Sequence, residues 1–208
     1  LRQPLNSNVR RHNSTPPMSI APLTIRRLAP ELREDFLQFF EGAAFADNPK
    51  WQSCYCQFLY VDHSKVTWSA RTGQENRAAA CDRIACARMQ GLLAYRGNEV
   101  VGWCNAAPRA LLDSFADEPD PDAERLGQIT CFVVARNHRR TGVARALLEA
   151  ACEMLREDGL SVAEANPSRN ASTDAENHYG PLSLYQSAGF AVVREREDGL
   201  LVMRRSLL

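Results

Sequence analysis

Residues 128–157 read QITCFVVARNHRRTGVARALLEAACEMLRE, and their reading decides the fold. The opening part, residues 129–135, is apolar and rich in β-branched side chains, as a buried strand is. The closing part has helical spacing: Val143, Ala146, Leu147, Ala150, Ala151, Met154 and Leu155 share one face. Between them lies Arg139-Arg140-Thr141-Gly142-Val143-Ala144. A strand therefore ends, a short basic turn follows, and a helix begins. The first N–H groups of a helix have no internal partner and carry the positive end of its dipole, so they can hold a phosphate. Gly142 lets the backbone approach a ligand, and Arg139, Arg140 and Arg145 add charge in a geometry suited to phosphate. The plain alternative is an ordinary strand–helix junction with surface arginines.

Two motifs carry a family resemblance. Arg139-x-x-Gly142-x-Ala144 resembles the Q/R-x-x-G-x-G/A signature of the GCN5-related N-acetyltransferases, and Leu184-Tyr185-Gln186-Ser187-Ala188-Gly189-Phe190 looks like their L-Y-x-x-x-G-F element. The resemblance covers roughly residues 22–208. It is similar, in particular, to a bacterial branch with an early Trp-x-x-Cys-x-Cys segment, here Trp51 to Cys56, and a Gly-Trp-Cys-x-x-x-Pro-Arg strand, here Gly102 to Arg109. It implies a mixed α/β acyl-CoA N-acyltransferase fold of about seven strands and four helices. It also implies acetyl-CoA as cosubstrate, held by Val133, Val134, Arg139, Arg140, Thr141, Gly142, Val143, Ala144 and Arg145, with the backbone N–H of Val134 facing the oxyanion.

For the leaving thiolate the resemblance points to Tyr185 as general acid. The base is harder to place. One branch of the family puts a Glu fourteen residues before the first motif glycine, and here that position is Gln128, whose amide cannot take a proton. Glu164 is the substitute, with a solvent-facing carboxylate as the plain alternative. His178 is a weaker candidate of suitable ordinary pKa. The loop before Tyr185 departs from the family spacing, since Pro181 replaces an Ala and His178 stands at an Asn position. The function expected is N-acetylation of a small-molecule amine. Its rivals are acetylation of a protein or peptide amine, and a non-catalytic acyl-CoA-binding sensor or interaction module.

Composition bounds this reading. The 208 residues are 45% hydrophobic, enough for one domain with a real core over residues 21–208. Formal net charge is zero, which argues against broad nucleic-acid or anionic-membrane binding. No apolar run approaches a membrane span, the N-terminus lacks a secretory core, and seven cysteines suit reduced thiols, so a cytoplasmic protein is expected. Cys54-x-Cys56 with His63, Cys81 and Cys86 does not have standard zinc spacing, and no metal is expected. Cys131 and Cys152 read as small buried hydrophobes. Residues 1–20 read as a disordered or loosely docked arm. Met18 offers a start that would leave residues 1–17 outside the native protein.

Along the chain, a strand is expected over residues 23–28 and a helix over 31–45 behind Pro30. An aromatic segment, residues 51–60, follows. Phe58 and Leu59 read as core there, and Trp51, Tyr55 and Tyr60 equally as pocket wall or packing. Thr72 and Glu75 make a capping-box pattern for a helix over residues 73–89, with Gly91 as its C-cap. A hairpin turns at Gly97-Asn98, and Arg109 reads as facing water. The acidic, Pro-broken residues 113–127 read as solvated, or as a lure for a cationic acceptor. A strand over residues 160–165 should run parallel to the core strand. A polar loop, a short helix over 181–188 and a terminal hairpin complete the chain. That hairpin could pair across a homodimer.

Overall fold

The computed structural model describes residues 21–208 except Ala175, so the expected arm over residues 1–20 lies outside the described residues. The strands are β1 (Leu23–Arg27), β2 (Gly91–Arg96), β3 (Glu99–Pro108), β4 (Leu126–Val134), β5 (Val162–Ala165), β6 (Ala191–Glu195) and β7 (Leu201–Ser206). The α-helices are α1 (Arg33–Glu41), α2 (Gly73–Ala85), α3 (Val143–Glu157) and α4 (Leu182–Ser187). The strands form one mixed sheet in the order β1-β2-β3-β4-β5-β7-β6, as expected for the fold. β4 and β5 pair in parallel, and every other neighbouring pair is antiparallel. The strand–helix–strand crossover through α3 explains this, because a crossover returns the chain in the same direction.

Side-chain alternation divides the core between the two faces of the sheet. On one face Leu92, Ala94, Val101, Cys104, Ile129 and Ala163 pack against Val143, Leu147, Leu148, Ala151 and Leu155 of α3. On the other, Leu93, Tyr95, Trp103 and Val133 pack against Phe36, Leu37, Phe39 and Phe40 of α1 and against the aromatic segment. Trp103 is fully buried and meets Phe36 and Phe40 edge-on, at centroid distances of 5.0 and 6.2 Å.

Local chemistry sets the helix ends. Pro30 opens a 3-10 turn, and Glu34 and Asp35 follow in the first turn of α1, where carboxylates suit the dipole. The helix stops at Gly42, so the expected single helix over 31–45 is split, with a second 3-10 turn at Ala43–Phe45. The capping box of α2 is formed: Glu75 N–H donates to Thr72 Oγ1 at 3.2 Å, and Thr72 N–H donates to Glu75 Oε2 at 2.7 Å. α2 ends four residues earlier than expected, because Ala87 turns left-handed (φ +55°). Gly91 is not its cap. It starts β2, where an added Cβ would come within 2.4 Å of both Cys104 O and the Trp103 ring.

Candidate active site

β5 follows β4 only from Leu126 to Ile129. Beyond that point the two strands part, and Thr130, Cys131, Phe132, Val133 and Val134 line a cavity of about 1170 Å³. A bulge sits at the parting point: Asn105 pairs with Cys131 and Ala106 with Ile129, so Thr130 is the extra residue. Its Oγ1 donates to Asn105 Oδ1 at 2.9 Å, and Asn105 Nδ2 donates to Tyr60 Oη at 2.9 Å. The bulge re-phases the strand. Ile129 belongs to the α3 face of the core, whereas Cys131 packs toward the opposite face and lines the cavity. Cys152 is buried as expected; Cys131 is half-buried instead.

At one end of the cavity lies the Arg139–Ala144 turn. Arg140 (φ +60°) and Gly142 (φ +87°) are both left-handed, and Thr141 Oγ1 donates to His138 O at 2.7 Å. No side chain caps α3, and an added Cβ at Gly142 would meet nothing within 4 Å. The helix N-terminus thus opens onto free space, which fits a pyrophosphate. Arg139, Arg140, Gly142, Val143, Ala144 and Arg145 line the cavity, together with Val133 and Val134; Thr141 does not. The arginines differ in their partners. Arg139 holds Asp47 through two bonds of 2.5 and 3.0 Å and Asp174 through one of 3.1 Å, and its Nε donates to Val134 O at 3.1 Å. That guanidinium holds the Asp47 carboxyl below its ordinary range. Among the described residues no carboxylate pairs with Arg140 or Arg145.

The cavity wall also includes Trp51, Cys54, Cys56, Phe58, Leu59, Trp68, His178 and Tyr179. Trp51 meets the His178 ring edge-on at 4.7 Å, and Phe58 meets Trp68 edge-on at 5.1 Å. Of the aromatic segment, Trp51 lines the cavity, whereas Tyr55 and Tyr60 are buried in the core. Phe58, expected in the core, is 38% exposed at the cavity wall. Burial raises the Tyr179 phenol to about 12, and it stands within electrostatic reach of the Cys131 and Cys54 thiols.

Neither sequence-derived catalytic residue lines this cavity. Tyr185 is fully buried between Phe132 and Phe190, and its hydroxyl donates to Tyr179 O at 2.6 Å. Glu164 is also buried, and three groups engage its carboxylate: Arg204 Nε at 2.6 Å, Gln128 Nε2 at 2.5 Å and Arg109 at 3.5 Å. Arg204 pairs in turn with Asp120 and Asp122, and Arg196 pairs with Glu118. Arg109, expected in water, is 6% exposed, over the Phe115 ring. The acidic segment is thus an ion-pairing partner for one buried and two half-buried arginines as well as a solvated loop. Among the described residues no group of His, Cys, Asp and Glu is arranged to hold a metal ion, and no helix is long and apolar enough to cross a membrane.

The family model for the acetyltransferase (GNAT) family matches residues 31–190, and the chain belongs to that family. It is an N-acetyltransferase, of a class whose cosubstrate is acetyl-CoA. Solved structures similar in fold include a GNAT acetyltransferase from Streptococcus pneumoniae (17% identity, covering 89% of this chain and 99% of that one, TM-score 0.54). A putative acetyltransferase from Salmonella typhimurium with its cofactor acetyl-CoA has the same identity and TM-score, with 89% and 94% covered. The PaiA N-acetyltransferase from Thermoplasma acidophilum, in complex with coenzyme A, has 13% identity, 89% and 99% covered, and a TM-score of 0.54. No curated protein matches the chain in sequence.

Proposed function

We propose that residues 21–208 act as one domain that moves the acetyl group of acetyl-CoA onto the amine of a small molecule by direct attack. One observation carries this: the uncapped N-terminus of α3 opens into the same cavity that the parted β4 and the aromatic side chains line. The pyrophosphate lies on the N–H groups of residues 142–145, with Arg140 and Arg145, which pair with no carboxylate among the described residues, as its cations. The pantetheine arm runs beside Val133 and Val134. The acceptor enters between Trp51, Phe58 and His178. Arg139 bridges Asp47 and Asp174, both of which line this cavity. A cavity of about 1170 Å³ that the cofactor must share suits a small amine.

The chemistry follows from the groups at hand. An alkylammonium with a pKa near 10.4 must lose a proton before attack. His178, on the cavity wall, takes it through a water molecule. The amine nitrogen then bonds to the thioester carbon, and the Val134 N–H faces the oxyanion. As the C–S bond breaks, the nitrogen loses its second proton to cavity water, and Tyr179 donates a hydrogen bond to the departing thiolate. With its pKa near 12 it stays protonated throughout the physiological range. It is too weak an acid to surrender its proton fully to a thiolate whose thiol has a pKa near 8.5. Tyr185 acts through Tyr179, as a positioning residue behind its carbonyl. Glu164 acts as an ion-pair hub of the sheet.

The same reading places the enzyme in the cytoplasm, where seven free thiols suit a reducing compartment. It also places the chain in the branch marked by the Trp51–Cys56 segment. A homodimer would use the edge strand β6, whose five residues are all exposed. The test is calorimetric titration of acetyl-CoA into the wild type and into Gly142→Asp, followed by a panel of amines. Binding to the wild type that is lost in the variant supports the reading; binding to neither, or equally to both, refutes it.

A further inference from the structure

Among the described residues, Trp51 and Phe58 are the two aromatic side chains among the exposed large hydrophobics, at 36% and 38%, and both line the cavity. An apolar ring left in water beside a cavity marks a surface kept for a ligand. The segment that carries these rings is built to hold them there. Tyr55 and Cys56 are left-handed, at φ +44° and +56°, between the 3-10 turns Pro49–Cys54 and Phe58–Tyr60. That conformation costs a non-glycine residue energy and persists only where the surroundings enforce it. Here buried and half-buried side chains enforce it at three carbonyls. Asn76 Nδ2 of α2 donates to Ser53 O at 3.0 Å, Gln57 Nε2 to Tyr55 O at 3.0 Å and Arg83 Nη2 of α2 to Tyr60 O at 2.9 Å. Arg83 Nη1 also donates to Gln57 Oε1 at 2.7 Å. The result is a segment that buries Tyr55 and Tyr60 while leaving Trp51 and Phe58 at the cavity. Each exposed ring is braced by a second ring of the cavity wall, Trp51 by His178 at 4.7 Å and Phe58 by Trp68 at 5.1 Å.

Charge narrows the ligand further. The carboxylates among the cavity's described residues are Asp47 and Asp174, and Arg139 engages both. The second ammonium of a polycationic acceptor would find no uncommitted anion there, and its desolvation would go uncompensated. A ring-bearing acceptor with one amine has no such need. We infer that the acceptor is a primary monoamine whose carbon body ends in an aromatic ring, and that this ring packs on Trp51 and Phe58. Offset or edge-on pairing with those rings gains more than the area it buries, which favours an aromatic body over an aliphatic one of equal size. The inference rests on the acetyltransferase reading of the cavity and names the acceptor within it. The amine nitrogen bonds to the acetyl carbon as the C–S bond breaks. Of the two protons that the ammonium gives up, one stays in solvent and the other ends, through water, on the thiol of coenzyme A. The product is a neutral N-acetyl arylalkylamine.

The test is calorimetric titration of phenethylamine, cyclohexylethylamine, butylamine and spermidine into the full chain with coenzyme A bound. Phenethylamine should bind about tenfold tighter than butylamine or spermidine, and about threefold tighter than cyclohexylethylamine, which matches it in size without the aromatic ring. Trp51→Ala and Phe58→Ala should each bring phenethylamine and butylamine within about threefold of one another. An unchanged dissociation constant for coenzyme A shows that each variant keeps its fold. Phenethylamine bound no tighter than butylamine, or a preference that survives both substitutions, overturns the inference. Turnover of the same amines with acetyl-CoA separates the two levels of the argument. The same ranking in kcat/KM supports the acceptor class. Butylamine or spermidine acetylated as fast as phenethylamine removes that class and leaves the acetyltransferase reading standing. A wild type that binds neither coenzyme A nor acetyl-CoA overturns the acetyltransferase reading, and this inference with it.

Discussion

The assignment of the thiolate's hydrogen-bond donor rests on two adjacent phenols that the structure sets in different places. Tyr179 lines the cavity, whereas Tyr185 is fully buried and donates at 2.6 Å to the carbonyl of Tyr179. Tyr179→Phe removes one donor aimed at a developing negative charge. A hydrogen bond to a charged group is worth about 1.5–3 kcal/mol, or about 10- to 150-fold in rate. Tyr179→Phe should therefore lower kcat by that factor, with the acetyl-CoA dissociation constant unchanged, because the pyrophosphate end is untouched. Tyr185→Phe leaves the Tyr179 carbonyl unpaired in the interior at a cost of about 1–3 kcal/mol of stability. In a chain of this length that is a fall of about 2–12 °C in Tm. Its kcat should fall less than that of Tyr179→Phe. The assays are steady-state acetylation with thiol detection and thermal unfolding of each variant. The reverse order of kcat losses, with Tyr179→Phe near wild type, would refute the assignment and return the role to Tyr185.

Arg140→Ala should weaken acetyl-CoA binding about tenfold, with a smaller salt dependence, since one charge-assisted contact is lost; calorimetry at two ionic strengths checks this. Glu164→Gln should cost about 1–4 kcal/mol in denaturant unfolding, because it unbalances a buried ion pair, yet keep kcat within about threefold; a hundredfold loss of kcat that a higher pH restores would make Glu164 the base after all. His178→Ala should lower kcat most near neutral pH and least above pH 9, where free amine is abundant; a uniform loss across a pH–rate profile would remove the base role. The Asp47–Arg139 pair lowers the Asp47 pKa, so its contribution is complete above the ordinary Asp value of about 3.9 and is lost as pH falls through the lowered one. The stability difference between wild type and Asp47→Asn should therefore be flat from pH 5 to 8 and vanish only below about pH 4, as measured by unfolding across pH.

Much of the fold was legible in the sequence because it is encoded locally. The change from β-branched run to helical spacing across residues 128–157 marks β4, the turn and α3, and Thr72 with Glu75 marks the start of α2. The turn residues were legible too, since Gly142 and its arginines announce a helix N-terminus. What stayed hidden is non-local. The partners of Glu164 lie 36, 40 and 55 residues away, and no periodicity reports them. Strict alternation would set Cys131 on the face of Ile129, and the bulge at Thr130, which no local pattern reports, turns it to the other face. A motif located Tyr185 in sequence, but not the direction of its hydroxyl. The exposure of Phe58 depends on how its segment meets the cavity, which its apolar character conceals.

The amide at position 128 bears on attempts to redesign this enzyme. Gln128 Nε2 sits 2.5 Å from the Glu164 carboxylate in a fully buried position. Restoring the carboxylate found there in one branch of the family, by Gln128→Glu, would set two carboxyl groups against each other away from water. One would hold its proton well above the ordinary carboxylate range, because like charges so close cannot both ionise. The transplanted residue would be a neutral acid bonded to its neighbour, not a base turned to the acceptor. Any enzyme engineered from this scaffold must first clear Glu164 from β5, and with it the anchor of Arg109 and Arg204.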